Sequence, residues 1–409
     1  MQVRTSRIVL VLAAFFSLVL LPPVFAQQPI KLGFIYTFSG RLAHYGYGAQ
    51  QGAKLAIEEI NSAGGVNGRK LVDVYGDTQL KPDVGVKAAK KLVNEEKVDV
   101  LLGIVSSGVA RAVAPEMNRM ETPLIITLAM TPDVTGKMCN PYTFRINLNG
   151  PQNLKGAANL AATFKVRKWT TLGPDYIYGY QSWEYFQKYL APLQPGVLFA
   201  PKEETAFSAT TNEDIKPYIQ KVLASGADGV LVTLYGGNLI DFIRQGKELK
   251  IFSGKMKLLL CLGYSADVMY GVGLEMPEGL WLSGQYWFQA NDSPVNKRFV
   301  ERYVDKYHIF PDYNAQNAYA GVMTYVAAVK KAGSTDKKAV AAALEGLTLD
   351  VPVGTITIRP EDHQAVLDGV WGVTAQYNPK FRCRLLKPLK IFPGLEIIRP
   401  VSETGCKLR

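Results

Sequence analysis

The sequence predicts an α/β protein made of two doubly wound units, each a parallel sheet with helices on both faces. Short apolar segments alternate with helical segments along the chain, and the alternation begins again after Asn149-Gly150. This pattern is typical of parallel sheets built from strand–helix–strand units. With 409 residues, the chain is long enough for two such domains.

Each element of the first unit follows from local periodicity. Residues 30–36 form an apolar strand, and alanine and isoleucine then recur at helical spacing from Ala49 to Ile60 until Gly64 ends the helix. The remaining strands of this unit are predicted at 71–75, 98–105 and 124–128, with helices at 83–94 and from 109 onward. In the second unit, strands are predicted at 169–172, 197–200, 229–234, 258–262 and 279–283, and helices at 180–190, 214–224, 239–249, 294–307 and 315–332.

Residues 1–26 have the features of an export signal. Arg4 and Arg7 precede an apolar run at 8–21, and the segment ends in Val24-Phe25-Ala26, a small-x-small pattern. A buried helix or membrane anchor is the alternative, but the run is short for a membrane span. We expect cleavage after Ala26 and a periplasmic mature protein.

Composition narrows the function classes. The net charge is +11, but the lysines and arginines are scattered and are not interleaved with aromatic residues, so no nucleic-acid surface is predicted. Four cysteines are present without C-x-x-C spacing, which argues against a zinc site. An oxidising compartment permits disulfides. Cys383 and Cys406 are the simplest pair, Cys139 could pair with either, and Cys261 lies in an apolar run as a buried thiol.

Candidate binding residues follow the strands, because ligands of open parallel sheets bind at the carboxyl ends of strands. Ser107 begins a helix and offers a hydroxyl and free amide groups to an anion, although it could serve only as a cap. The other loops contribute mainly hydroxyls and aromatic rings: Ser39, His44, Tyr45, Ser106, Thr127, Ala129, Thr131, Tyr176, Tyr178 and Tyr235. Such groups suit binding better than bond cleavage.

No catalytic apparatus is predicted. The sequence has only three histidines, His44, His308 and His363, and contains no G-x-S-x-G, H-E-x-x-H or P-loop motif. We therefore expect a protein that is not an enzyme and has no catalytic residues, metal or cofactor.

Several segments together resemble the periplasmic branched-chain amino-acid-binding proteins, the soluble receptors of ABC importers. They are IKLGFIYTFSGRLAHYG, GAKLAIEEINSAGGVNGRKL, GIVSSGVA, PYTFRI, DYIYGY and AYAGV. The resemblance implies a type I periplasmic binding fold: two lobes joined by a three-strand hinge that close over one small ligand. It predicts lobe 1 at 29–149 plus 287–352 and lobe 2 at 150–286 plus 353–409, in a monomer that serves an inner-membrane ABC permease.

The ligand contacts of that family fall on particular residues of this chain. The resemblance implies that Ser107, the Ala129 backbone and Thr131 hold a ligand carboxylate, while Tyr45, Tyr178 and Tyr235 complete the cleft.

One family feature is missing, and it changes the predicted ligand. Amino-acid binders have an acid after the strand that ends near Leu262 to receive the ligand ammonium, whereas residues 261–265 here contain none. Asp267 remains possible if the register shifts, but a loss is favoured, and an unpaired buried ammonium is costly. With Tyr264 adding to an aromatic wall, we expect a small-molecule carboxylate without an α-amino group, and an aromatic one is favoured. The alternatives are a branched-chain amino acid, an amide, or a ligand-binding component of a sensory system.

Overall fold

The first lobe is built on a five-stranded parallel sheet. The computed structural model describes residues 28–210 and 213–408, and the expected signal segment 1–26 lies outside the described residues. The strands are β1 (Ile30–Tyr36), β2 (Leu71–Asp77), β3 (Val100–Gly103), β4 (Leu124–Ile126) and β5 (Thr143–Arg145), and the helices are α1 (Ala43–Ser62), α2 (Pro82–Asn94) and α3 (Ser107–Arg119). The sheet order is β2-β1-β3-β4-β5. The central strands are buried on both faces, as expected when helices cover both sides.

The second lobe follows directly. Its helices are α4 (Gly150–Ala161), α5 (Ile177–Leu193), α6 (Lys216–Ala224), α7 (Gly236–Glu248) and α8 (Ala266–Val272). Its strands are β6 (Lys168–Pro174), β7 (Leu198–Phe199), β8 (Ala206–Ser208), β9 (Gly229–Val232), β10 (Lys257–Leu260) and β11 (Trp281–Gly284). These strands pair in parallel, so the second doubly wound unit is present as expected.

The chain then returns to the first lobe before it completes the second sheet. α9 (Pro294–Tyr307), α10 (Tyr313–Ala332), α11 (Lys337–Leu344), β12 (Thr348–Val351), β13 (Gly354–Ile358) and β14 (Ala365–Val366) precede β15 (Gly369–Asn378), β16 (Cys383–Phe392) and α12 (Gly394–Ile397). The second sheet has the order β16-β15-β11-β10-β9-β6-β7, with β8 on β6. The pairs β11–β15 and β15–β16 are antiparallel, so this sheet is mixed at one edge.

Three connections join the lobes, near 147–149, 285–293 and 359–368. The third differs from the expected boundary at 352/353. That boundary would divide the antiparallel hairpin β12–β13, whose strands pair from Thr348 to Val351. The hairpin stays together because each strand satisfies the backbone hydrogen bonds of the other.

The two longest helices of the first lobe, α1 and α10, pack at close distance. Gly52 of α1 faces the backbone of α10, and a Cβ atom built on it would lie 1.9 Å from the Ala315 carbonyl oxygen. One turn earlier, a Cβ on Gly48 would meet its nearest atom, Asn314 Cβ, at 3.4 Å. The contact at Gly52 therefore excludes any side chain, whereas Gly48 leaves room for a methyl group.

The C-terminal segment crosses from the second lobe to the first and ends in a disulfide. After α12, the Arg399 guanidinium donates to the Tyr185 hydroxyl of α5 (3.1 Å). A disulfide then joins Cys406 to Cys139, whose Cα atoms are 5.5 Å apart. The Cys383–Cys406 pair was therefore the wrong choice among the alternatives, since Cys383 is buried in β16 as a free thiol.

Cys261 is also a free buried thiol, as expected from its apolar surroundings. Burial raises the pKa of both the Cys261 and Cys383 thiols to about 12, so both stay protonated and unreactive at neutral pH. Among residues 28–210 and 213–408, no helix has the length and apolar character needed to cross a membrane.

Candidate functional site

A cavity of about 350 Å³ lies between the two lobes, where the carboxyl ends of their strands face each other. Segments of both lobes line it: Tyr45, Val105, Ser107, Leu128, Met130, Tyr176, Tyr178, Tyr235, Leu262, Gln285 and Tyr313. The cavity is partly open to solvent, and residues of both lobes face it.

Five tyrosines form most of the wall. Tyr45 and Tyr313 come from the first lobe, and Tyr176, Tyr178 and Tyr235 come from the second. The Tyr235 ring lies edge-on to both Tyr45 and Tyr178, with ring centroids 6.1 Å apart in each pair. The Tyr45 and Tyr313 centroids are 6.0 Å apart. Edge-on rings of this kind are a favourable arrangement.

The tyrosine hydroxyls are neutral donors at physiological pH. Burial raises the pKa of Tyr45, Tyr178 and Tyr235, so their hydroxyls keep the proton. The Tyr176 and Tyr235 hydroxyls bond to each other (3.1 Å). The buried hydroxyls of Tyr45 and Tyr178 have no hydrogen-bond partner among the described residues. A buried donor without a partner is costly, so these two groups are suited to a ligand acceptor or water.

Ser107 lines the cavity at the start of α3. It is the first residue of α3, is 2 % exposed, and accepts a hydrogen bond from the Thr131 N–H at its Oγ (3.2 Å). Because that bond uses an oxygen lone pair, the hydroxyl proton stays available as a donor. The first-turn N–H groups and the helix dipole favour negative charge at this place.

Of the seven residues predicted to bind ligand, the cavity lining includes Tyr45, Ser107, Tyr178 and Tyr235 and does not include Ala129, Thr131 or Tyr264. Leu128 and Met130 line the cavity instead of Ala129 and Thr131. Side chains on an extended segment alternate between its two faces, so a prediction that is wrong by one residue assigns the lining to the opposite face. The Thr131 hydroxyl accepts from the Asp133 N–H and donates to Gln181 in the other lobe (3.2 Å).

Tyr264 lies in the core of the second lobe. Its hydroxyl donates to the Val370 carbonyl oxygen (3.1 Å), and its ring packs on Trp287 with centroids 5.6 Å apart. Leu262, two residues earlier, lines the cavity at that strand end. The aromatic wall on this side comes from Tyr176 and Tyr313.

Acidic side chains are absent from the described residues that line the cavity. Asp267, the one acid left open by the sequence, has its Oδ2 3.0 Å from the His44 Nε2 across the cleft. Burial raises the pKa of Tyr45 and Tyr313, and the negative charge of Asp267 adds to both shifts. Within the described ranges, no group of three or more His, Cys, Asp or Glu side chains is arranged to hold a metal ion.

Sequence reasoning missed two polar lining residues, Gln285 and Tyr313. Gln285 lies on the second connection between lobes, donates to the Leu128 carbonyl (3.2 Å) and accepts from Asn317 (2.8 Å). Tyr313 follows the N-cap residue Asp312 at the start of α10. A polar residue just after a strand was a usable signal for Gln285, but no local pattern distinguishes Tyr313 from a core tyrosine.

Ion pairs and hydrogen bonds hold the two lobes in a closed arrangement. Arg41 of the first lobe contacts Asp241 (3.0 Å) and Glu213 (2.5 Å) of the second. Its guanidinium lies over Gly237, where an added Cβ would be 2.4 Å from an Nη atom. His44–Asp267 adds a second contact across the cleft.

We expect Arg41→Gln to weaken ligand binding up to about fivefold, since two partly exposed ion pairs across the cleft contribute about 1 kcal/mol or less. The matched control is Lys216→Gln, which breaks an ion pair of 2.7 Å with Glu248 inside the second lobe. Calorimetry at low and high salt should show a loss for Arg41→Gln that shrinks with salt. Equal affinities for the two variants would contradict a role for Arg41 in closure.

The carboxyl of Asp312 should make stability depend on pH. Burial raises its pKa to about 7, and the negative charge of Asp267 adds to the shift. Burial alone would lower the pKa of His44, but its contact with Asp267 outweighs burial and the pKa is raised. A raised pKa means that the folded state holds the proton more tightly, so this stabilisation is lost as pH rises from about 4 to about 7.

We therefore expect the free energy of unfolding to fall less steeply with rising pH in Asp312→Asn than in the parent protein. Asparagine keeps a good helix N-cap but does not titrate. Denaturant unfolding between pH 5 and 8 measures the difference. Parallel curves for the two proteins would show that Asp312 does not titrate in this range.

Two α/β lobes with a tyrosine-rich cavity between them are the arrangement of a solute-binding protein of the cleft type. The chain belongs to the periplasmic binding protein family, whose model matches residues 29–376. Its fold is that of type I periplasmic binding proteins, as the resemblance in the sequence implied.

Individual relatives differ in what their names say they bind. A Leu/Ile/Val-binding protein homolog of Brucella melitensis is 27% identical over 344 residues, covering 81% of this chain and 88% of the relative. An amino acid ABC transporter substrate-binding protein of Pseudomonas fluorescens has a TM-score of 0.80 and 25% identity, covering 94% of this chain and all of the other. A Rhodopseudomonas palustris solute-binding protein of an ABC transporter, in complex with p-hydroxybenzoic acid, has a TM-score of 0.78 and 23% identity, covering 92% and 99%.

Proposed function

We propose that this protein is the periplasmic receptor of an ABC importer and captures a small aromatic carboxylate by closing its lobes. The observation that carries the ligand class is the lining itself: five tyrosines and an N-terminal helix serine, with no acid among the described lining residues. An aromatic ring would fit between the tyrosines, and its carboxylate would lie at Ser107.

The carboxylate would receive three kinds of donor. The Ser107 hydroxyl and the first-turn N–H groups of α3 are two of them. The third is the Met130 N–H. The Ala129 carbonyl accepts a hydrogen bond from the buried Arg145 side chain. The N–H of the same trans peptide therefore points the opposite way. In this proposal Met130 donates the hydrogen bond to the carboxylate that the sequence analysis assigned to Thr131.

A neutral ring substituent would meet the tyrosine hydroxyls at the other end. Tyr178 has an unpartnered hydroxyl, so we expect Tyr178→Phe to weaken binding of 4-hydroxybenzoate roughly two- to tenfold, the value of one neutral hydrogen bond. The matched control is Tyr189→Phe on the same helix, whose hydroxyl is also unpartnered but lies outside the cavity. Titration calorimetry should separate the two variants, and equal losses would argue against a ligand contact at Tyr178.

A branched-chain amino acid is the second candidate, because the Brucella relative carries that name and Asp267 lies 3.0 Å from His44, the neighbour of the lining residue Tyr45. Calorimetry with benzoate, 4-hydroxybenzoate, leucine, isoleucine and valine decides between the two. We expect an aromatic acid to bind at least tenfold more tightly than leucine. Tight leucine binding with no response to aromatic acids would replace the aromatic proposal and make Asp267 the ammonium partner.

The import role has its own test. A receptor returns its ligand unchanged, acts as a monomer and delivers it to an inner-membrane ABC permease. Incubation with saturating 4-hydroxybenzoate should leave the compound intact after the protein is denatured and removed. A cell that lacks the gene should lose high-affinity uptake of the ligand, whereas loss of chemotaxis or transcriptional response with normal uptake would indicate a sensory component instead.

A further inference from the structure

The guanidinium of Arg145 lies directly behind the segment that lines the anion end of the cavity. Arg145 is on β5 and is completely buried. Its Nη1 donates to the carbonyl oxygens of Ala129 (3.2 Å) and Thr131, its Nη2 to the Thr135 hydroxyl, and its Nε to the Gln364 Oε1 (2.6 Å). Four acceptors from two distant parts of the chain therefore converge on one side chain.

All four of these acceptors are neutral, which is unusual for a buried cation because burying a charge without a counterion is costly. The nearby acids are engaged elsewhere: Asp133 pairs with Arg111 (3.1 Å), and Asp362 pairs with Arg359. Burial, followed by the charge of Arg399, lowers the pKa of Arg145 to about 9. The guanidinium is therefore still protonated at neutral pH, without a carboxylate of its own.

We propose that Arg145 is a positioning residue for the anionic end of the ligand, which it serves through the 128–131 segment and without touching the ligand. This inference rests on the proposed binding of a carboxylate and identifies Arg145 as the positive charge that favours the anion.

The stereochemistry of the segment transmits the effect. In a trans peptide the carbonyl and the N–H point in opposite directions. Arg145 binds the Ala129 carbonyl and does not line the cavity, whereas Met130 does. The Met130 N–H of the same peptide therefore points away from the guanidinium, which polarises it. The peptide after Thr131 has no N–H because Pro132 follows. Its bond to Arg145 therefore fixes the segment and offers no second donor.

Gln364 connects the same guanidinium to the connections between the lobes. Its Nε2 donates to the Asn147 carbonyl (2.9 Å), and its Oε1 accepts from the Asn149 Nδ2 (3.1 Å). Asn147 and Asn149 belong to the first connection and Gln364 to the third. The geometry of the donors at Met130 is therefore coupled to the strands about which the lobes rotate.

The test compares a carboxylate with its neutral amide. We measure the affinities of 4-hydroxybenzoate and 4-hydroxybenzamide for the parent protein, Arg145→Met, and the control Arg399→Met, a buried arginine that donates to Tyr185 and to the Glu403 carbonyl. Arg145→Met should lower the carboxylate-to-amide affinity ratio about tenfold or more, because the Met130 N–H would lose its orientation and with it a charge-assisted hydrogen bond to the carboxylate. Arg399→Met should leave the ratio unchanged. A purely structural role would weaken both probes equally and would overturn the proposal.

A second measurement needs no ligand and can be made even if the Arg145→Met variant does not fold. Hydrogen exchange of the ligand-free protein is followed in residues 128–131 for Gln364→Met, which keeps the Arg145 bonds to this segment but removes their link to the connections. Thr135 is left out because its hydroxyl donates directly to Gln364 (3.1 Å). Faster exchange there than in the parent supports the coupling, and unchanged exchange overturns it. If the parent binds neither probe, the proposed ligand class fails, and this exchange comparison still decides the role of Arg145.

Discussion

Replacing Ser107 with alanine is expected to weaken the binding of an aromatic carboxylate tenfold or more. Ser107 lines the cavity at the start of α3 and has a hydroxyl proton free to donate, since its oxygen already accepts from the Thr131 N–H. A hydrogen bond to a charged group contributes about 1.5–3 kcal/mol, and 1.4 kcal/mol corresponds to a tenfold change in Kd. Titration calorimetry with 4-hydroxybenzoate measures the loss directly.

The adjacent serine provides the control for this substitution. Ser106 is the N-cap of α3, but its side chain makes no capping hydrogen bond and does not line the cavity. Ser106→Ala should therefore keep the parent affinity within about twofold. If both variants are folded and bind with the parent affinity, Ser107 does not contact the ligand and the anion must bind elsewhere in the cleft.

Gly52→Ala should cause a large loss of stability, because the new methyl group would lie 1.9 Å from the Ala315 carbonyl oxygen and neither helix can move without disturbing the core. Overpacking of this kind costs about 1–3 kcal/mol, and contact with backbone leaves less room for relief than contact with a flexible side chain. Denaturant unfolding followed by circular dichroism gives the free energy of unfolding.

Gly48→Ala tests the same change on the same helix. Its Cβ would have an ordinary 3.4 Å contact with Asn314, and alanine has a higher helix propensity than glycine by about 1 kcal/mol. We therefore expect Gly48→Ala to be neutral or stabilising and Gly52→Ala to be strongly destabilising. Equal free energies of unfolding for the two variants would show that α1 and α10 do not pack as closely as described.

The sequence was sufficient to predict the strands that have apolar runs and the helices that have a clear helical periodicity. The predicted β1 and α9 coincide with the structure at 30–36 and 294–307. The antiparallel edge strands β15 and β16 were not predicted. β16 carries Lys387, Pro388 and Lys390, residues typical of an edge strand, which weaken the alternating pattern that identifies a strand.

The sequence predicted which loops form the candidate site, but it did not identify all of the residues that line it. The rule that ligands bind at strand ends correctly brought Tyr45, Ser107, Tyr178 and Tyr235 to one cavity. It could not decide which face of the segment after β4 points inward. The sequence around Leu128 does not show whether this residue or its neighbour in the chain faces the cavity. Tyr313 and Gln285 belong to segments far away in the chain, so only the completed fold identifies them.

The Cys139–Cys406 bond bears on the order in which the chain folds and oxidises. The two cysteines are 267 residues apart, and every strand and helix of the second lobe lies between them. In the unfolded chain, Cys139 can also meet Cys261 and Cys383. Both of these thiols are buried in the folded second lobe, so folding of that lobe withdraws them from pairing with Cys139. We therefore expect oxidation to the native pair to be favoured when the second lobe folds first.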